Sequence, residues 1–215
     1  MGELTADVSY DDKRNRLTCA FRMILVIPHL IVSYFWGIVA EVVAIPQWFI
    51  IVFTGKRNQA LWDLQWGWLS YAGRVYAYEY LLFDDYPAFG TDQRKVPMVQ
   101  DLAYAEPASR LTNGLRFIWI IPALILAIIF GIAMSVVLLI AWFAILFTGR
   151  FPRGMFDFMM KGLRFMLQVN SYALMMSDTY PKWGSGVPAV GAAPVPPSVP
   201  PSDPTPGIVP PAPAT

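Results

Sequence analysis

Apolar residues along this chain gather into two long runs, Met23 to Phe53 and Phe117 to Phe147, with almost nothing polar inside either. A basic turn follows each, Lys56-Arg57 in one case and Arg150-Phe151-Pro152-Arg153 in the other. Then come two segments with mixed patterning, Ala60 to Phe83 and Met155 to Ser177. In the second, Asp157, Lys161, Arg164, Gln168 and Ser171 recur at spacings of four and three, which is one stripe of a helix. Phe156, Met159, Met160, Leu163, Phe165, Met166 and Leu167 fill the rest of its surface. A wide apolar face with a narrow charged stripe predicts a helix lying in the membrane interface. The first segment carries Trp62, Trp66, Trp68, Tyr71, Tyr76, Tyr78 and Tyr80, types that favour the headgroup level. The alternative for both is a third spanning helix whose polar stripe faces a bundle.

The two patterns are copies of each other. Arg16 corresponds to Arg110, and the same offset places Arg22 on Arg116, Ile27-Pro28 on Ile121-Pro122 and Trp48-Phe49 on Trp142-Phe143. It continues through Phe53-Thr54-Gly55 and Phe147-Thr148-Gly149, Asp63 and Asp157, and the pair Asp84-x-Tyr86-Pro87 and Asp178-x-Tyr180-Pro181. Asp7 and Tyr10 match Asp101 and Tyr104, so each unit starts before its apolar run, with polar stretches (Val8 to Arg16, Leu102 to Arg110) that leave room for an extended segment. The expected units are membrane repeat 1 over residues 1–90, membrane repeat 2 over 91–183, and a Pro/Ala-rich tail over 184–215. The tail's composition cannot form a core and predicts disorder. Two units are too few for a solenoid but suit a pseudo-two-fold pair in a bilayer.

Each apolar run is 31 residues long. As one helix it measures about 46 Å, against a hydrocarbon core of about 30 Å. As two helices, each half sits near the lower limit of about 17 residues. Lys13, Arg14, Arg16 and Arg22 precede the first run, and Lys56 and Arg57 follow it; Arg110 and Arg116, then Arg150 and Arg153, flank the second. Positive residues mark the cytoplasmic side, so both ends of each run are expected there. That requires an even number of crossings and predicts a tight hairpin bent near Gly37 and Gly131. The alternative is one long tilted helix per repeat, kinked at Pro28 and Pro122.

Composition agrees with a membrane setting. Hydrophobic residues make up 56% of the chain and charged ones 14%, where an ordinary soluble domain has about 25% charged. The 16 basic residues nearly cancel the 15 acidic ones, which argues against nucleic-acid binding driven by charge. Cys19 is the single cysteine, so no internal disulfide can form. Met1 to Arg16 has no short apolar core of a secretory signal, so attachment is expected through the apolar runs.

Three stretches carry a family likeness. They are an Arg-x-x-x-x-Ile-Pro start to the apolar run (Arg22 to Pro28, Arg116 to Pro122), Trp-Phe-x-x-x-Phe-Thr-Gly-Lys/Arg at its end (Trp48 to Lys56, Trp142 to Arg150), and Asp-x-Tyr-Pro after the amphipathic segment. This pattern resembles the bacterial membrane family known as domain of unknown function 4389, present as two tandem copies. The first copy departs from it after Lys56, with Arg57-Asn58-Gln59 in place of the Pro and Gly of the second. The resemblance implies an integral membrane protein and carries no activity with it.

Candidate chemistry is sparse. Gly55 and Gly149 stand where a helix needs a left-handed residue past its end. Lys56, Arg57, Arg150 and Arg153 are candidates for contact with lipid headgroups at that level. His29 and Glu41 are the intramembrane polar candidates, since ionisable groups there are expensive and often functional. The second copy has Ala123 and Ser135 in their places, and Glu41 is expected at the hairpin bend. One His and one Cys make a metal site improbable, and no Gly-x-Ser-x-Gly elbow surrounds a serine. No catalytic residue, cofactor or metal is expected. The fold class expected is an all-α integral membrane protein: two tandem repeats, each a short transmembrane hairpin plus an amphipathic interfacial helix, with four spans and both termini cytoplasmic in the bacterial cell membrane. The function expected is a non-enzymatic, multi-pass accessory or scaffold subunit. Its partners would be the lipid bilayer, a membrane protein or a second copy, and a soluble protein for the PxxP-containing tail. The alternative is a small transporter or channel at the repeat interface.

Overall fold

The computed structural model describes residues 2–91 and 96–187. The tail and its PxxP segments therefore lie almost wholly outside the described residues. Each half begins with a short strand, β1 (Thr5–Val8) or β2 (Met98–Asp101). In the first half α1 (Arg16–Leu25), α2 (Ile27–Thr54) and α3 (Gln59–Glu79) follow; in the second, α4 (Arg110–Gly114), α5 (Arg116–Thr148) and α6 (Arg153–Ala173). The strands pair antiparallel, with Ala6 opposite Gln100, so the chain is mostly helical rather than all-α.

The hairpins do not form. α2 and α5 are single helices of 28 and 33 residues, long and apolar enough to cross a membrane, and among the described residues the four short spans are thereby replaced by two candidates. Nothing near Gly37 or Gly131 offers turn chemistry, and an unbroken helix keeps each backbone N–H bonded four residues back. Gly37 instead admits the Trp68 indole, whose Nε1 donates to the Ser33 carbonyl at 2.9 Å. The break in the first half falls at Val26, leaving Pro28 in the opening turn of α2, where its missing N–H costs nothing. In the second half the break falls at Leu115, and Pro122 lies inside α5. Both long helices stop at a left-handed glycine, Gly55 with φ 73° and Gly149 with φ 71°, as the sequence predicts.

α3 and α6 do not present a wide apolar face to the surroundings. Most of their residues are buried, and they form the middle of the molecule. α3 runs back along α2, α6 runs back along α5, and the two meet antiparallel: Trp62 at the start of α3 donates to the Met176 carbonyl just past α6. The C-terminal part of the polar stripe of α6 is used internally, while Asp157 and Lys161 stay at the surface. Arg164 binds the Ala6 carbonyl and Asp7 of β1, and Gln168 reaches Ser185.

One pseudo-two-fold axis organises all of this. The Trp48 indole donates to the Asn113 carbonyl, and the equivalent Trp142 donates to the Cys19 carbonyl. Ala108 N–H bonds the Gly55 carbonyl as Arg14 N–H bonds that of Gly149. The axis passes through the equivalent pair Ala6 and Gln100, between α3 and α6, and between α2 and α5, which run in opposite directions. The molecule is thus three layers deep: long apolar helices, then α3 and α6, then the ribbon.

Candidate functional site

A buried arginine sits near the start of each apolar run, Arg22 in one half and Arg116 in the other. Arg22, almost fully buried, donates to the Tyr78 and Phe83 carbonyls at 3.0 and 2.7 Å and pairs with Asp84 at 2.5 Å. Its guanidinium lies 4.4 Å from the Tyr78 ring centre. Arg116 repeats the arrangement with Tyr172 and with Asp178 at 2.9 Å. The Arg, Tyr and Asp of this arrangement are identical in the two halves, so the Arg and the Asp-x-Tyr-Pro motif are two ends of one clasp. It fastens the start of the long helix to the end of the helix packed along it. Each carboxylate accepts a backbone N–H, Asp84 from Asn15 and Asp178 from Ser109, but Asp178 carries more: it also accepts from Asn113 Nδ2 and from Arg57.

A family model, that of domain of unknown function DUF4389, matches residues 16–90 and again 110–184. The chain belongs to this family. No curated protein and no solved structure matches it. Each DUF4389 copy spans one clasp from its Arg to its Asp, while the strands fall outside both copies.

Arg57 leaves the group of headgroup candidates. It is buried, and it donates to the Met175, Ala105 and Pro107 carbonyls as well as pairing with Asp178 at 2.5 Å. Burial pulls its pKa below the ordinary arginine value, and Asp178 pulls it back. The other three are exposed at the corners of the apolar layer. Lys56 lies 3.1 Å from Glu106, Arg150 lies 4.0 Å from Asp12, and Arg153 pairs with Asp157 while covering the Tyr10 ring. Arg16 lies against Gly149 and Arg110 against Gly55, which puts exposed basic residues at both ends of the layer.

Sequence reasoning missed Arg14. It donates to the Leu81 and Leu82 carbonyls, as Arg57 does to Met175. Leu81 and Met175 are equivalent, and each takes a left-handed conformation unusual for a residue with a side chain (φ 65° and 62°). A buried arginine fixes the carbonyl at each place, supplied by different sequence positions. The repeat comparison hides this, because Ala108 and Phe151 stand at the equivalents of Arg14 and Arg57.

His29 and Glu41 part company. His29 is fully buried, with Nδ1 2.7 Å from the Tyr71 hydroxyl and its ring stacked on Phe89 at 4.1 Å. In the other half Ala123 leaves room for the larger Trp183, which stacks on Phe130 at 3.7 Å. His29 with Phe89, and Ala123 with Trp183, are two ways of filling one space. Glu41 is exposed and sits mid-helix, not at a bend. It borders a groove of about 300 Å³ lined by Ala44, Trp48, Trp68, Phe117 and Ala173. The equivalent positions in the other half carry larger side chains, Leu138 for Ala44, Tyr76 for Asn170 and Glu79 for Ala173.

The broadest feature is the outer surface of α2 and α5. Facing inward on α2 is a stripe of His29, Ser33, Gly37, Ala40, Ala44, Gln47 and Ile51. Facing outward are Ile31, Phe35, Ile38, Val42, Ile45 and Phe49. In the most apolar stretch of each helix, 28% of residues in α2 and 17% in α5 are buried. A surface helix of a water-soluble fold has an apolar stripe facing inward and polar residues outward, and a core helix that is apolar all round is buried.

Proposed function

We propose that this DUF4389 protein is a non-enzymatic accessory or scaffold subunit embedded in the bacterial cell membrane, binding a partner membrane protein or a second copy. The exposed apolar surface of α2 and α5 carries the reading. On α2 mostly small and polar residues face the protein, and α5 buries Ile120, Met134 and Ile145 beside Arg116, Ala123 and Ala141. On both helices large apolar side chains face outward along the whole length, where a soluble monomer exposes contiguous apolar patches of only about a few hundred Å². The strongest polar constellations, the two clasps, are closed on their own carbonyls and carboxylates. That supports a structural role for them rather than a chemical one.

The groove beside Glu41 favours a second reading, a small transporter or channel. It ranks lower because the equivalent positions of the other half carry larger side chains and His29 is sealed among aromatic rings. Purified full-length protein in liposomes is expected to stay with the lipid through an alkaline wash and to leave proton and cation flux at the level of empty vesicles. Recovery in the aqueous wash would sink the membrane reading. A flux lost in Glu41→Ala would shift the assignment to transport.

A further inference from the structure

We infer that the molecule enters the bilayer from one side: α2 and α5 lie in the plane of a single leaflet, flanked by anionic phospholipid headgroups, and neither crosses. This rests on the membrane reading above and adds its geometry. The pseudo-two-fold relates two antiparallel long helices, so it runs across them. Were they upright, the axis would lie in the membrane plane and everything on it would sit at the bilayer midplane. The ribbon is on that axis. Gln100 of β2 bonds the Leu69 carbonyl at the middle of α3, and α3 at Trp68 bonds Ser33, midway along the combined length of α1 and α2. An upright molecule would therefore hold exposed Asp101, half-exposed Asp7 and two short strands in hydrocarbon.

Irregular backbone would be carried there too. Residues 84–91 run back along α3, with Phe89 against His29 and the Gly90 carbonyl on Arg74. Residues 178–186 do the same along α6, ending where Ala6 N–H bonds the Gly186 carbonyl. Lipid-exposed loops and open strand edges do not occur in the hydrocarbon region. Length points the same way. The exposed apolar surface of α5 extends from Phe117 to Phe147, about 46 Å, and fitting it into about 30 Å needs a tilt near 50°, beyond the range of roughly 0–40° seen for spanning helices.

Turned so that the axis stands along the membrane normal, the same molecule has no such conflict. The apolar layer meets acyl chains, the ribbon meets water, and the exposed basic groups Lys13, Arg16 and Arg150 at one end and Lys56 and Arg110 at the other all reach phosphates of the same leaflet. Basic residues at both ends of each run then share a side because the number of crossings is zero. A second copy is a poorer occupant, since one flat contact cannot cover an apolar surface that wraps past the sides of both helices.

The test uses full-length protein with Cys19→Ser and one added cysteine, reconstituted in vesicles of phosphatidylglycerol and phosphatidylethanolamine. Ile118, Ile125, Ile132 and Leu139 lie seven residues apart, all exposed on one face of α5. A fluorophore at each, quenched by lipids spin-labelled at known depths, is expected to report depths equal to within roughly 5 Å. Cysteines at Lys56 and Arg150, at opposite ends of the layer, are expected to react with an impermeant maleimide from the same side of the vesicle. Two shallow ends around a deep middle, with labelling from opposite sides, would overturn the in-plane arrangement and leave the membrane reading intact. No quenching anywhere, with a water-soluble dimer in the absence of lipid, would overturn both.

Discussion

Asp178 shows how much one side chain holds in this molecule. Almost fully buried, it accepts from Arg57, Arg116, Asn113 and the Ser109 backbone, joining the end of α6 to the starts of α3, α4 and α5. Removing one partner of a buried pair strands the other charge at a cost of about 3–5 kcal/mol, and here two cations are stranded. Asp178→Ala is therefore expected to destabilise by at least that range. Asp84→Ala should cost distinctly less, because Asp84 is 30% exposed and pairs with one arginine. Thermal unfolding of both variants in the same detergent checks the order; equal losses would mean the network around Asp178 adds nothing. The Asp-x-Tyr-Pro spacing is plain in the sequence. Its partner is not, because no local pattern says that a carboxylate in a linker meets an arginine 62 residues away.

At the scale of elements, the long helices turn on two glycines that look alike in sequence and do different work. A Cβ on Gly37 would come 3.1 Å from the Trp68 indole nitrogen, which is already bonded to Ser33. A Cβ on Gly131 would meet only the flexible end of Met166 at 3.4 Å. Gly37→Ala is accordingly expected to lose roughly 1–3 kcal/mol by overpacking. Gly131→Ala should be neutral or gain up to about 1 kcal/mol, since alanine favours helix over glycine. Denaturation midpoints in detergent measure both. Severe loss from both together would mark a turn at each, the hairpin geometry. The apolar runs, their glycine caps and the helical period of α6 are legible in the sequence. The burial of α3 and α6 is not, because a charged stripe facing headgroups and one facing a strand have the same spacing.

For the molecule as a whole, two similar halves raise the question of why unlike halves pair. The answer lies at Arg14 and Arg57. Arg14 serves the Leu81 carbonyl of its own half, while Arg57 serves the Met175 carbonyl of the other. If two first halves paired, Arg14 of one and Arg57 of its mate would converge on the same Leu81 carbonyl, two buried cations against one acceptor. If two second halves paired, Ala108 and Phe151 would leave the Met175 carbonyls without a guanidinium. Residues 1–91 and 92–187 co-expressed as separate chains are expected to co-purify as a heterodimer, at least tenfold over either homodimer, a preference of about 1.4 kcal/mol. Equal recovery of all three pairs, read by differential tags, would remove this account of specificity.

By itself the sequence determined that the chain is a tandem pair of one unit, that each unit has a long apolar run ending at a left-handed glycine, and that the unit belongs with DUF4389. Those features rest on local physics: period, capping and composition act within a few residues of one another. What only the tertiary structure decided is which surfaces face inward. A run of apolar residues is compatible with a hairpin or a single helix, and a charged stripe with a headgroup or a neighbouring strand. The choice fell to contacts between residues far apart in the chain: Trp68 on Gly37, Arg164 on β1, and the arginines of one half on the carbonyls of the other.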